Sequence, residues 1–208
     1  MAEVKLYRPE ELEHDEWRQL QSIERDAFVS TLDRTQAEID ALIEWDDPAH
    51  FTASHVDPNT EVGKRYNANQ SYSHSRVAVA TKNREPIGFA YSAHNVSGGS
   101  EQNRLVKRLT VVKNYLWLRE VAVKPEHQRQ GLARELGRTL LKDAIGLQPV
   151  AAYVWPDEDP DFLQGTLERL GFSPTGEQQV KVFGENSEPI RQVRMQAPSA
   201  RAVLRNLG

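Results

Sequence analysis

The sequence predicts a single α/β domain, an α+β arrangement whose central sheet is mixed, largely antiparallel and flanked by helices. Three observations point there. The chain has 208 residues without an internal repeat or a convincing linker. Short apolar runs bounded by turn residues recur along most of its length. The most apolar of these runs leads directly into one strongly periodic helix, so strand and helix alternate there.

Val4 to Tyr7 reads as an opening strand closed by Pro9. Trp17, Leu20, Ile23, Ala27 and Phe28 recur at helical spacing and predict a helix over residues 15–28. Thr35 and Glu38 have capping-box spacing before Ile39, Leu42 and Ile43, which predicts a second helix ending before Pro48. Residues 47–75 are polar and aperiodic and read as an irregular connection. Val77 and Val79 begin a strand, residues 82–85 turn, and residues 87–96 return. Residues 97–100 break that run, and two more extended runs follow at 109–112 and 115–123. The second is apolar enough to be central in a sheet.

After Pro125 the period changes. Leu132, Leu136, Leu140, Leu141 and Ile145 form one apolar stripe of a helix. Residues 149–155 read as the next strand, 162–170 as another helix stopped by Gly171, and 180–183 with 190–195 as a closing hairpin. The domain takes residues 1–196, and 197–208 form a C-terminal tail.

The composition excludes several chemistries. No cysteine is present, which removes disulfides, thiolate nucleophiles and cysteine-ligated metal. The net charge of −4 argues against a dedicated nucleic-acid binder. No apolar run approaches about 18 residues and the start lacks the apolar core of a secretion signal, so a cytoplasmic protein without a membrane segment is expected. His50, His55, His74 and His94 lack metal-ligand spacing, and the acidic run 157–161 reads as a solvated turn, so no metal is expected. The charge is also unevenly placed. Residues 101–145 hold ten basic and five acidic side chains, whereas 11–47 hold twelve acidic and three basic. A basic middle in an acidic chain suggests an anionic ligand at the middle.

The junction of strand and helix at residues 121–135 gives that ligand a place. Gly131 and Ala133 put almost no side chain at the helix start, and Arg129 and Arg134 add positive charge. Free backbone N–H groups and the helix dipole then suit a phosphate or diphosphate. The segment is not a P-loop, because five residues separate Gly131 from Gly137 and the lysine is missing. No Gly-x-Gly-x-x-Gly dinucleotide motif occurs either.

Gln128-Arg-Gln-Gly131-Leu-Ala133 resembles the Gln/Arg-x-x-Gly-x-Gly/Ala signature of GNAT-type N-acetyltransferases. The strand at 121–123 and Pro125 before it, and Leu170-Gly-Phe172 after it, stand where relatives have them. The resemblance implies a GNAT-like domain using acetyl-CoA, a coenzyme A thioester, as cosubstrate. Its diphosphate would sit on Gln128, Arg129, Gln130, Gly131, Leu132, Ala133 and Arg134. Its pantetheine arm would pair with the backbone of Val121, Ala122 and Val123. The implied reaction is direct attack of an amine, from a small molecule or a peptide, on the thioester. Such an amine has a pKa of about 10 and needs a base. Glu120 is the candidate, directly or through a water, with the oxyanion held by a strand amide near Val121. The alternative for Glu120 is a strand carboxylate paired with Arg119 or Arg108.

The chain departs from the family where relatives often carry a tyrosine and an asparagine, since Leu167 and Pro160 occupy those places. A thiolate with a parent pKa of about 8.5 leaves without much help, and Tyr153 or water can stand in as acid. The same departure supports the alternative of an acyl-CoA-binding sensor or assembly module without turnover. The acidic balance outside the middle favours a cationic acceptor, with Trp45 as a pocket wall. The last strand and tail pair subunits in relatives, which allows a homodimer.

Overall fold

Period-two apolar patterning, with helices to cover both faces, gives one seven-stranded sheet in the computed structural model, which describes residues 2–8, 11–29, 76–96, 114–146, 149–154, 163–181 and 190–208. The strands are β1 (Glu3–Tyr7), β2 (Arg76–Lys82), β3 (Glu85–Val96), β4 (Asn114–Val123), β5 (Val150–Val154), β6 (Ser173–Lys181) and β7 (Ile190–Ala197). The described helices are α1 (His14–Val29), α2 (Leu132–Asp143), α3 (Leu163–Arg169) and α4 (Ala200–Leu207). The strand order is β1-β2-β3-β4-β5-β7-β6, and every neighbouring pair is antiparallel except β4 with β5. The mixed, largely antiparallel sheet matches the expectation. The helix expected over 35–47, the irregular connection, the run 109–112 and the acidic turn at 157–161 lie outside the described residues.

Alternation along the strands sends two sets of side chains to two faces. On one face α1 lays Trp17, Leu20, Ile23 and Ala27 on Val77, Val79, Phe89, Tyr91 and Ala122. The first turn of α1 is held by Glu16, whose carboxylate accepts from the Glu13 N–H at 2.8 Å. On the other face α2 sets Leu136 and Leu140 over Ala78, Ala80, Ala90 and Val123. Three alanines beneath one helix let it approach the sheet closely. A further cluster joins Leu116, Leu141, Val150, Met195 and Phe172 to the residues of α4.

Three boundaries differ from the sequence reading. The stripe of α2 stops short of Ile145, which is 48% exposed beyond the helix end, and Ala144 is buried instead. Strand β6 begins at Ser173 rather than Val180. As an edge strand it pairs only with β7, and residues 173–178 are exposed, so no apolar alternation announces it. Residues 197–208, expected as a tail, carry α4 and bury Ala200, Val203 and Leu207 in the core.

Leu140 is 1% exposed between α2 and the sheet. Leu140→Ala leaves a cavity there, and urea unfolding is expected to show a loss of about 2–5 kcal/mol.

Candidate functional site

The pairing between β4 and β5 creates the site. It runs for three residue pairs, Leu116–Val150, Trp117–Ala151 and Leu118–Ala152. Beyond Ala152, β5 continues only against β7, while β4 continues only against β3 as far as Val123. Among the described residues, the edge of β4 from Arg119 to Val123 that faces away from β3 therefore has no neighbouring strand. A bulge lies where the two strands part. Ser92 pairs with Leu118 and Tyr91 with Glu120, so Arg119 is the extra residue. Bulges bend a strand and re-aim its side chains.

The side-chain consequence follows from parity. Without the extra residue Trp117 and Glu120 would point to opposite faces; with it, both lie on the α1 face. Glu120 stands across from Tyr91, and its Oε1 is shielded from solvent. Val121 shifts to the α2 face across from Ala90, and there it is 44% exposed. A valine so exposed in mid-sheet marks open space beside the strand.

The chain then turns into α2 through a short 3-10 segment, Pro125–His127. Lys124 donates to the Ile87 carbonyl at 2.9 Å, and His127 to the Lys124 carbonyl at 2.8 Å. Two glutamines of the signature pin this loop with their side chains. Gln128 Nε2 donates to the Val123 carbonyl at 3.1 Å, and Gln130 Nε2 to the Glu126 carbonyl at 3.2 Å.

Two left-handed residues aim the backbone that follows. Arg129 has φ +58° and Gly131 has φ +81°. Excursions of this kind curl successive N–H groups toward one concave side. The first helical bond joins the Glu135 N–H to the Gly131 carbonyl at 3.1 Å. Among the described residues, the N–H groups of Arg129, Gln130, Gly131, Leu132, Ala133 and Arg134 have no backbone acceptor, and no side chain caps the helix. A Cβ built on Gly131 meets nothing within 4 Å. The donors and the positive helix end thus open onto space, an arrangement suited to an anion.

The sequence-predicted residues separate by role. Val121 to Val123 line the forked strand and 129–134 form the row of donors. The side chains of Gln128 and Gln130 serve the loop. The Arg134 side chain reaches the far end of α4, where Nη2 donates to the carbonyls of Leu207 and, at 3.2 Å, Gly208. Leu167 is buried against Phe172 and Met195, so its helix turns an apolar residue to the core where relatives often have tyrosine.

Sequence reasoning missed a polar group on the α1 face. Arg194, 8% exposed on β7, lies 5.0 Å over the Trp117 ring, pairs with Glu177 and reaches Gln196 at 3.5 Å. Gln192 and Glu24 are also buried. The available signal was the alternation of Gln192, Arg194 and Gln196 in an internal strand. A cavity of about 250 Å³ lined by Arg76, Ser92, Asp143 and their neighbours lies at the other end of α2. Along α2 its first lining residue, Leu140, stands about 9 Å beyond Arg134, the last of the donor row. Among the described residues no group of three or more His, Cys, Asp or Glu could hold a metal, and no helix is long and apolar enough to cross a membrane.

A match to the acetyltransferase (GNAT) family spans residues 39–172, more than half the chain, and the chain belongs to that family. No curated protein matches the sequence as a relative. Among solved structures, the PaiA N-acetyltransferase from Thermoplasma acidophilum in complex with coenzyme A is similar, at 14% identity and a TM-score of 0.54. That match covers 94% of this chain and 99% of the other. The spermidine N-acetyltransferase from Vibrio cholerae, in complex with CoA and spermine, gives 17% identity and a TM-score of 0.53 over 96% and 98% of the chains. The ribosomal-protein-S18-alanine N-acetyltransferase from Escherichia coli gives 18% and 0.52 over 96% and 94%. Likeness at these identities establishes the shared fold.

At φ +81° any side chain strains the backbone, whatever the space around it. Gly131→Ala is therefore expected to lower unfolding free energy by about 1–2 kcal/mol in urea titration, with no change in the slope.

Proposed function

We propose that this protein is an acyl-CoA-dependent N-acetyltransferase that transfers acetyl to an amine by direct attack on the thioester. One observation carries the reading: a row of backbone donors without acceptors among the described residues opens beside a strand edge that has lost its neighbour. Family membership supports the same reading, as do the coenzyme-bound states of the Thermoplasma and Vibrio proteins.

Acetyl-CoA, when bound, supplies an activated carbonyl and a thiolate leaving group. The N–H groups of 129–134 hold its diphosphate, and Arg129 adds charge. The free edge of Val121 to Val123 offers the pantetheine amides the hydrogen bonds that β5 no longer makes. An N–H near Val121 faces the carbonyl oxygen as negative charge builds on it, where a fixed donor acts most strongly.

Glu120 takes the amine proton. The acceptor arrives protonated near neutral pH, and only its neutral form attacks. The bulge at Arg119 puts the Glu120 carboxylate on the α1 face, so the amine approaches from the side opposite α2. The ammonium proton first leaves to solvent through Glu120 or a water it holds. A carbon–nitrogen bond then forms, the carbon–sulfur bond breaks, and the second proton lost from nitrogen passes by the same route to water or to the released thiolate. The thiolate needs little protonation to leave, consistent with Leu167 in place of an acid.

The acceptor is a small-molecule or peptide amine. Buried Glu24 and the half-buried Glu120, whose Oε1 is shielded from solvent, share the α1 face with buried Arg194, so this face carries both signs of charge rather than a purely acidic lining.

Coenzyme A at about 100 times its dissociation constant is expected to raise stability by about 2.7 kcal/mol, read as a thermal shift. Gly131→Glu puts a carboxylate into the open space before the donor row. It is expected to abolish that shift while the variant still unfolds cooperatively, and an undiminished shift would remove the coenzyme from this loop. Glu120→Gln is expected to lower kcat/KM by about 10²–10⁴-fold over an amine panel with coenzyme affinity kept. Coenzyme binding with no amine accepted by the native protein would favour a sensor over an enzyme.

A further inference from the structure

Helix α4 lies outside the family match, which ends at residue 172, yet it is built firmly into the molecule. Ser199 caps its start, its Oγ accepting from the Ala202 N–H at 3.2 Å. Its apolar face, Ala200, Val203 and Leu207, is buried with Met195 and Ala197 of β7. Its other end meets α2. Arg134 Nη2 donates to the Leu207 and Gly208 carbonyls, and Arg138 Nη2 donates to the Leu207 carbonyl at 3.4 Å.

Arg134 stands in the first turn of α2, within the row of N–H groups that lack acceptors. A cation is poorly placed there on its own account, because that end of a helix carries partial positive charge. The last carbonyls of α4 carry the opposite partial charge and hold the guanidinium in place. Both bonds to them leave from Nη2. A guanidinium has five N–H donors in one rigid plane. Among the described residues Nε and Nη1 have no partner, and Arg134 is an exposed residue. A fork fixed at one corner keeps its remaining donors in a set direction. A freely rotating arginine would have to give up that freedom on binding.

We propose that α4 is a positioning element for the anion site: its terminal carbonyls fix Arg134 so that Nε and Nη1 join the backbone donors of 129–134 around a coenzyme diphosphate. This rests on the proposed function and adds to it an element outside the family match. Binding and docking are then linked, and linkage is reciprocal. Coenzyme binding tightens α4, and loosening α4 weakens coenzyme binding by the same factor.

The test uses the full chain and coenzyme A. Ser199→Ala with Ala202→Gly loosens α4 at its capped end and touches neither the loop nor Arg134. Calorimetry measures coenzyme affinity for the native protein, this loosened variant, Arg134→Ala and the combination. The loosened variant is expected to bind about five- to tenfold more weakly, at the low end of ordinary coupling. In the Arg134→Ala background the same loosening is expected to cost nothing further. In the native protein coenzyme A is expected to slow amide exchange over residues 203–207, which decides the matter should the loosened variant fail to fold. Unchanged affinity in a loosened variant whose α4 amides exchange faster overturns the proposal, as does an equal loss in both backgrounds or native exchange blind to coenzyme. Absence of coenzyme binding by the native protein is a separate result, which overturns the proposed function and this inference together.

Discussion

A hydrogen-bond ledger left open along one strand organises this molecule. A central strand ordinarily satisfies both of its edges, and among the described residues β4 does so only as far as Leu118. One additional residue, Arg119, sits at the same place, opposite the Tyr91–Ser92 step of the other neighbour. Polar backbone that loses its partner must meet water or a ligand. The loop that follows has the same character, because α2 starts with no cap and its first donors point into space. Among the described residues two neighbouring stretches of main chain lack partners, an extended one with both donors and acceptors and a helix start with donors alone. A long ligand with amides at one end and phosphates at the other meets both.

The same irregularity divides labour between the faces of the sheet. Val121 is turned toward α2 and Glu120 toward α1, so the group proposed to line the coenzyme and the one proposed to take the proton stand on opposite sides of one strand. On the α1 side a cation over an aromatic ring, Arg194 on Trp117, ties β7 to β4 across β5. Its charge is balanced by Glu177, an exposed residue of the edge strand β6. Distant segments thus converge near the fork without any contribution from the signature loop.

Features that depend on local spacing were legible in the sequence. The stripe of Leu132, Leu136, Leu140 and Leu141, the small residues at 131 and 133 and the apolar run into Val123 all report a period or a helix start, and the structure puts them where that spacing requires. Features that depend on partners were not legible. No glycine or proline marks the bulge at Arg119. The stacking of Arg194 on Trp117 joins residues far apart in the chain. Edge strand β6 draws its order from β7 rather than from its own side chains. Helix α4 is a different case: Ser199 followed by Ala200, Val203 and Leu207 is a capped helical pattern, too short to stand out until the core it covers is known. The two signature glutamines were legible as positions but not as loop clamps, because their side-chain amides find carbonyls that only the folded turn brings near.

The alanines under α2 set a geometric tolerance for everything at its start. Ala78, Ala80 and Ala90 form a nearly smooth floor, and the helix rests on it with little slack. Adding even one or two methyl groups to that floor would tilt the helix like a plank on a pebble, and the displacement would be greatest at its free end. Natural or engineered drift in these buried, chemically mute positions is therefore a way to retune the reach and angle of the loop amides without altering a single residue that a ligand touches.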